Sequence, residues 1–120
     1  MHDFRVYFDD ILDAIAQIHL YVRGMSQEEF TKDRKTQDAV VRNLEIIGEA
    51  AAKLSEEALK NAPQIEWRKI KGLRNILIHE YFGINLSIVW DVVQNKLQPL
   101  EATCRQLSKV TEELDPSKGA

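Results

Sequence analysis

Four basic residues and one histidine are concentrated in the segment WRKIKGLRNILIHEYFG, residues 67–83, of an otherwise acidic chain. They are Arg68, Lys69, Lys71, Arg74 and His79. An imidazole, with an ordinary pKa of about 6.5, can take or give a proton near neutral pH. A guanidinium can hold a phosphate through two parallel hydrogen bonds. Together they suit metal-free cleavage of an RNA phosphodiester, with histidine moving the proton and arginine stabilising charge on the phosphate oxygens.

A structural interpretation of the same residues stays open at this point. A cation in the last turn of a helix interacts favourably with the helix dipole, and a basic stripe is commonly just solvated. A metal site is not indicated, because His2 and His19 lie far from His79 and lack the Glu-x-x-His spacing of bundle metal sites. The single Cys104 offers no CxxC pattern. We therefore expect neither a metal nor a cofactor.

Length and composition limit the setting for this chemistry. The chain has 120 residues, 44% of them hydrophobic, and a formal net charge of −3, which fits one compact domain. The acidic balance argues against coating nucleic acid with the whole surface, so an anionic partner would be bound locally. There is no export-signal pattern, and no run approaches the roughly 18 apolar residues that a membrane span needs. A lone cysteine also suits a reducing compartment, so we expect a cytoplasmic protein.

The elements that must position these residues are predicted to be helices. Apolar residues recur at three- and four-residue steps over about residues 4–22, 40–54 and 86–107, which lines one face of a helix in each segment. A further long helix should run from about Gln64 to Tyr81 and end at Gly83. We therefore predict an all-α fold, an antiparallel helical bundle of four main helices with short extra helical turns. Residues 1–114 would form a single domain and residues 115–120 a flexible tail.

Short local signals predict where individual helices begin and end. Ser26-x-x-Glu29 has the form of a capping box, and residues 55–61 should add another helical turn. Asn85 can cap the fourth main helix. Pro99 lies inside the apolar stripe of that helix, so it should kink the helix or begin a new one.

A helical wheel places the basic residues and the histidine together on the predicted helix. With Arg74 at zero and about 100° per residue, a polar arc extends to roughly 140°. The arc contains Arg74, Lys71, Asn75, Arg68 and His79. Gly72, a bare position, and Ile78, an apolar one, interrupt it. This interruption indicates that another molecule packs there, and a second copy of the chain is one candidate.

The segment RNILIHEY, from Arg74 to Tyr81, matches the R-x4-H-x-Y signature of the HEPN superfamily. Two longer blocks, NLEIIGEAAAKLS at residues 43–55 and PQIEWRKIKGLRNILIHEYFGI at residues 63–84, resemble its HepT-like toxin branch. The resemblance covers nearly the whole chain. It implies a metal-independent endoribonuclease toxin that acts as a homodimer, with the two motifs meeting at a shared cleft. It also implies a minimal nucleotidyltransferase antitoxin of the MntA type, which neutralises the toxin by adenylylating the motif tyrosine.

Transferred to this chain, the resemblance gives the motif residues their roles. Arg74 and His79 become the catalytic pair, and Tyr81 becomes the modified residue. Asn75 would support them by holding the phosphate or the imidazole. Glu49 would orient Arg74 or His79 across a helix pair, although a glutamate on a long helix is often simply solvated. The RNA-backbone contacts would be Arg68, Lys69 and Lys71.

A second class of function also fits the sequence. A non-catalytic helical dimer could use the same cleft to bind a nucleotide or a partner protein, because a family motif can outlive its activity. The intact Arg74, His79 and Tyr81 favour the nuclease over this alternative.

Overall fold

The computed structural model describes residues 4–79 and 85–113, and among these it describes no side chains for residues 74–79 and 110–113. The described residues form seven α-helices and a π-helical segment. The α-helices are α1 (Arg5–Val22), α2 (Gln27–Lys32), α3 (Arg34–Ala52), α4 (Glu56–Leu59), α5 (Trp67–His79), α6 (Leu86–Asp91) and α7 (Leu97–Glu113). The π-helical segment, Val92–Lys96, joins α6 to α7. No β-strand occurs in the described ranges, and the all-α prediction is confirmed.

Four long helices enclose the hydrophobic core. Helix α3 packs against both α1 and α5, and α1 also packs against α7. The fully buried side chains include Phe8, Ile11, Ile15, Ile18, Leu44, Ile47, Leu97 and Leu100. These are the apolar positions that the helical periodicity selects, and each contributes about 1.5–3 kcal/mol by leaving water. The antiparallel arrangement of the four main helices stays a prediction. What matters for the site is that α5 is held against the central helix α3.

Two predicted helix starts are confirmed in atomic detail. The Ser26 hydroxyl accepts a hydrogen bond from the Glu29 backbone N–H at 3.1 Å, and the Glu29 carboxylate accepts one from the Ser26 N–H at 3.1 Å. This is the predicted capping box of α2. The Asn85 side chain accepts from the N–H groups of Ser87 and Ile88 at 2.9 and 3.3 Å, and so caps α6.

Helix α5 begins at Trp67, three residues later than the predicted Gln64. The buried Trp67 indole donates to the Ala62 carbonyl at 3.0 Å, and the Trp67 backbone N–H donates to the Ile65 carbonyl at 2.9 Å. These two bonds hold residues 62–66 in a turn, so regular helical bonding starts only at the Glu66 carbonyl. Trp67 is thus a core anchor. The predicted end of this helix, at Tyr81 and Gly83, lies outside the described residues.

Pro99 is accommodated by a new helix. Because α7 begins at Leu97, Pro99 lies in its first turn, where the missing N–H of proline costs least. The preceding π-helical segment has wider turns, and the Leu97 N–H donates to the Val92 carbonyl, five residues back. The start of α7 at Leu97 agrees with the prediction that a new helix begins near Pro99, although the backbone stays helical through the π-helical segment and no non-helical residue separates the two.

Candidate active site on helix α5

The motif residues share one continuous helix. The backbone is helical from Trp67 through His79, so Arg74, Asn75 and His79 follow one another on α5. The spacing of an α-helix separates Arg74 and His79 by about 7.5 Å along the axis and roughly 140° around it. The side chains of residues 74–79 lie outside the described part, as does the whole of Tyr81. The catalytic role of Arg74 and His79, the supporting role of Asn75 and the modification of Tyr81 stay predictions.

The first turns of α5 carry the described part of the arc. Arg68 is exposed and Lys71 is partly buried. No carboxylate of the described residues lies within ion-pair distance of either one. Arg68 lies in the first turn of α5, where the helix dipole disfavours a cation, so its charge does not stabilise the helix. Both cations are available to an anion.

Lys69 lies on another side of α5, about 160° from Lys71 on the wheel. Its Nζ is 2.7 Å from Glu66 Oε2. The hydrogen bond from Lys69, together with the positive charges of Lys69 and Lys96, lowers the pKa of Glu66. These residues flank a cleft of about 280 Å³ between the start of α5 and the π-helical segment. Any contact of Lys69 with RNA would be made at this cleft, which lies on a different side of α5 from the arc.

The apolar base of the cleft includes Ile70, Leu73, Val92 and Leu100. Sequence reasoning overlooked both Glu66 and Lys96 as neighbours of Lys69. The Glu66–Lys69 spacing of three residues is a usable signal for a pair on one helix face. No local signal predicts that Lys96 lies beside this cleft, because only the packing of the π-helical segment beside α5 brings it close to Lys69.

Gly72 is the position of the arc that has no side chain. A Cβ atom built on it would have no described atom within 4 Å, so the surface there is open. The bare position predicted from the wheel is therefore real in the described structure. Its partner in that prediction, Ile78, has its side chain outside the described part, and the packing of another molecule on the two residues stays a prediction.

Glu49 lies near the end of α3, the helix that packs against α5, and its side chain is partly buried. This position is compatible with a supporting role, since a residue on α3 can reach across to α5. Its contact with Arg74 or His79 stays a prediction, because those two side chains are not described.

Two further titratable residues of the described part, His19 and Cys104, lie on α1 and α7. His19 Nδ1 lies 3.9 Å from Glu101 Oε2, and Arg105 donates to the other oxygen of that carboxylate at 3.1 Å. Within the described ranges, no three His, Cys, Asp or Glu side chains are grouped so that they could hold a metal ion. Burial raises the pKa of Cys104 to about 12, so this thiol stays protonated within the core. Metal independence itself stays a prediction.

None of the described helices is both long enough and apolar enough to cross a membrane.

Comparison with known proteins places the chain in a family. The family model described as "Ribonuclease HepT-like" matches residues 11–107. A Methanocaldococcus jannaschii protein named as a candidate RNase is 46% identical over 95 residues, which cover 79% of this chain and 78% of the relative. A "Probable ribonuclease HepT" of Thermococcus cleftensis is 38% identical over 103 residues, 86% of this chain and 94% of that protein.

A more distant relative carries a more specific name. The "mRNA nuclease HepT" of Shewanella oneidensis is 29% identical over 122 aligned positions, which cover 78% of this chain and 92% of that protein. No solved structure gives a significant match. The family match includes the R-x4-H segment on α5 and the whole of both sequence blocks that carry the resemblance. The chain therefore belongs to the HepT-like ribonuclease family.

Proposed function

We propose that this chain is a metal-independent endoribonuclease toxin that cleaves RNA with Arg74 and His79. The family match supports ribonuclease activity, and one relative is named an mRNA nuclease. The observation that carries the proposal is the position of the R-x4-H pair on a continuous α5. The first turns of this helix bear Arg68 and Lys71, for which no described residue supplies a carboxylate partner. An anionic substrate satisfies both cations and brings its phosphate to the motif.

In the proposed reaction, the RNA supplies its own nucleophile. His79 takes the proton from a 2′-hydroxyl, whose oxygen attacks the adjacent phosphorus. The bond from phosphorus to the 5′-oxygen breaks, and that oxygen receives a proton. Arg74 stabilises the negative charge that builds on the non-bridging oxygens, and Asn75 helps to hold the phosphate or the imidazole. The products are a 2′,3′-cyclic phosphate and a 5′-hydroxyl, and no metal ion takes part.

The proposed active form is a cytoplasmic homodimer in which two motifs share one cleft. Two His79 imidazoles can then divide the work, one accepting the proton of the 2′-hydroxyl and the other protonating the leaving oxygen. Glu49 would orient Arg74 or His79 from α3. Arg68 and Lys71 would hold the RNA backbone as it enters, and Lys69 would contribute from its separate cleft.

The proposal includes a regulatory partner, a nucleotidyltransferase antitoxin of the MntA type. The Tyr81 hydroxyl would attack the α-phosphate of ATP, so that pyrophosphate leaves and AMP is attached to the tyrosine oxygen. Tyr81 follows His79 by two residues, and the adduct would place a phosphate within reach of Arg74 and a purine in the path of RNA. The modified toxin is silenced because its own site is occupied.

Incubation of the purified protein with total cellular RNA in excess EDTA tests the nuclease. We expect shorter fragments with 2′,3′-cyclic phosphate and 5′-hydroxyl ends. The activity should elute with the protein in gel filtration, which excludes a contaminating nuclease. Activity that disappears in EDTA and returns with a divalent cation would contradict the proposed metal independence. Complete lack of cleavage would favour the alternative, a dimer that only binds a nucleotide or a protein.

A further inference from the structure

Gly72 lies inside α5 at a place where the described packing does not require a glycine. Among the described residues, only Gly24 has a positive φ, so the conformation of Gly72 is open to other residues. A Cβ atom at position 72 would meet no described atom within 4 Å. Glycine in a helix interior lowers helix stability relative to alanine. Among the described atoms nothing opposes an alanine, which would strengthen the helix, so the described packing gives no reason for a glycine. A molecule that approaches this face from outside would give one.

The surface around Gly72 is cationic in its described part. Arg68 lies one turn before Gly72 and Lys71 directly precedes it, and neither has a described carboxylate partner. On the wheel, Asn75 and His79 fall within roughly 60° of Gly72. Gly72 therefore lies between the two predicted RNA-backbone contacts and the motif residues that would act on the scissile phosphate.

The charges favour RNA over a second copy of the chain as the molecule that covers Gly72. In a two-fold interface centred on Gly72, α5 would face its own copy. Such an interface would collect the Arg68 and Lys71 side chains of both copies on one face, with no described carboxylate between them, and like charges brought together oppose association. A phosphodiester backbone carries the opposite charge. A shared cleft can still form, provided that RNA lies between the two α5 helices at this point.

We propose that the RNA backbone passes directly over Gly72, and that the missing side chain lets the strand lie against α5 between Arg68 and His79. This inference rests on the proposed function. Gly72 is a positioning residue, because it takes no part in the reaction and sets how closely the phosphate approaches the groups that do. Hydrogen bonds weaken steeply once donor and acceptor are separated by more than about 3.5 Å. A side chain at position 72 would hold the strand farther from α5 and stretch these donor–acceptor distances towards that limit.

Substitution of Gly72 by side chains of increasing size tests this inference. We would compare wild type with Gly72→Ala and Gly72→Leu, and use Ala16→Leu on the exposed surface of α1 as the matched control. Fluorescence anisotropy measures binding of a short single-stranded 2′-O-methyl RNA, which cannot be cleaved because its 2′-oxygen is blocked. Cleavage is measured on unmodified RNA of the same sequence. Circular dichroism gives the melting temperature, and light scattering gives the mass.

We expect Gly72→Ala to melt roughly 2–5 °C higher than wild type, because alanine is the better helix former. The same variant should bind RNA about tenfold more weakly, as for the loss of one charge-assisted hydrogen bond, and should cleave correspondingly more slowly. Gly72→Leu should lose more of both RNA binding and cleavage. Ala16→Leu should bind and cleave RNA like wild type. A merely structural role for Gly72 would not combine a higher melting temperature with weaker binding.

Unchanged binding and cleavage in Gly72→Leu would overturn the inference. A loss of activity accompanied by a change from dimer to monomer mass would also overturn it, because a second copy would then cover Gly72. Wild type that binds RNA without cleaving it would refute the nuclease, while the binding series would still decide the role of Gly72. Wild type that binds no RNA would refute both.

Discussion

Lys69 and Lys71 are only two residues apart on α5, yet they have different surroundings. Lys69 is paired with Glu66 and faces the cleft beside the π-helical segment. Lys71 has no described carboxylate partner and belongs to the arc with Arg68. An exposed ion pair such as Lys69–Glu66 adds little to stability. The difference between the two lysines therefore concerns their binding partners more than the fold.

This difference leads to a prediction about Lys71. We expect Lys71→Gln to weaken binding of a 2′-O-methyl RNA and to reduce the slope of log K against log salt by about 0.7, the value for one single-strand phosphate contact. Anisotropy titrations over a range of salt concentrations measure both. The matched control is Lys60→Gln, since Lys60 is an exposed lysine after α4 and outside the arc. An equal loss of RNA affinity in Lys60→Gln would contradict the prediction, because the effect would then come from the net charge of the protein and not from a local contact at Lys71.

A second prediction at this scale concerns Tyr81 as the target of the antitoxin. We expect a nucleotidyltransferase partner with ATP to add one or more AMP units to wild type and to abolish cleavage, by the logic of other charge-adding switches. Tyr81→Phe should keep at least part of the nuclease activity and escape this control. Tyr21→Phe is the matched control, because Tyr21 is an exposed tyrosine on α1. Intact-mass spectrometry would contradict the assignment if the adduct still formed on Tyr81→Phe.

At the scale of elements, the sequence predicts what depends on local chemistry. The capping box at Ser26 and the cap at Asn85 are recognisable because each needs only a few consecutive residues. The start of α5 lies three residues beyond the predicted Gln64, because the indole of Trp67 holds the preceding residues in a turn that no local signal indicates. The π-helical segment was missed as well. One extra residue in a turn leaves the apolar stripe almost unchanged.

The candidate site likewise has one part that the local sequence predicts and one part that depends on tertiary packing. The R-x4-H spacing is local, so residue types alone place Arg74 and His79 on one helix, and the helical backbone through His79 agrees with that. The surroundings of Lys69 are only partly local, because Glu66 is three residues away while Lys96 comes from a different helical segment. Nothing in the spacing of charged residues indicates that Lys96 lies there.

Asp33 provides a prediction about the junction of α2 and α3. Its carboxylate caps α3 by accepting hydrogen bonds from the Thr36 N–H at 3.0 Å and the Thr36 hydroxyl at 2.8 Å. These bonds lower the pKa of Asp33 below its ordinary value of 3.8. The stabilisation by the charged form is therefore complete above pH 3.8 and is lost as the pH falls through the lowered pKa. Asp33→Ala should melt below wild type at neutral pH.

Asp33→Asn is the informative companion variant. Asparagine keeps a capping oxygen but cannot titrate, so it should retain most of the stability at neutral pH. The difference in melting temperature between wild type and Asp33→Asn should then shrink below pH 3.8. Thermal unfolding followed by circular dichroism measures both. A difference that stays constant across this pH range would show that the charge of Asp33 does not contribute.

At the scale of the whole molecule, a net charge of −3 must be reconciled with an anionic substrate. Arg68 and Lys71 lie on one stretch of α5 without a carboxylate partner in the described ranges, so the field there can differ in sign from the average of the surface. Two copies that face one cleft would reinforce this local field. Homodimerisation would thus let an acidic chain bind RNA at one place.

We therefore predict a homodimer of twice the 13.8 kDa chain mass. Light scattering at micromolar concentration measures it directly. Since the proposed dimer places RNA between the two α5 helices, the mass should be the same for Gly72→Ala as for wild type. A monomer mass at these concentrations would count against the shared cleft.

The single-turnover rate of RNA cleavage in EDTA, measured for Arg74→Ala and His79→Ala, tests most directly whether these two residues form the active site. The controls are wild type and His19→Ala. The second variant removes an exposed histidine that lies on α1, far from the motif along the chain. We predict that Arg74→Ala and His79→Ala each lose at least about 100-fold in rate, because proton transfer and charge stabilisation each contribute on that order. Helicity and melting temperature should stay nearly unchanged, and His19→Ala should cleave like wild type. Cleavage at the wild-type rate by either motif variant would contradict the proposed active site.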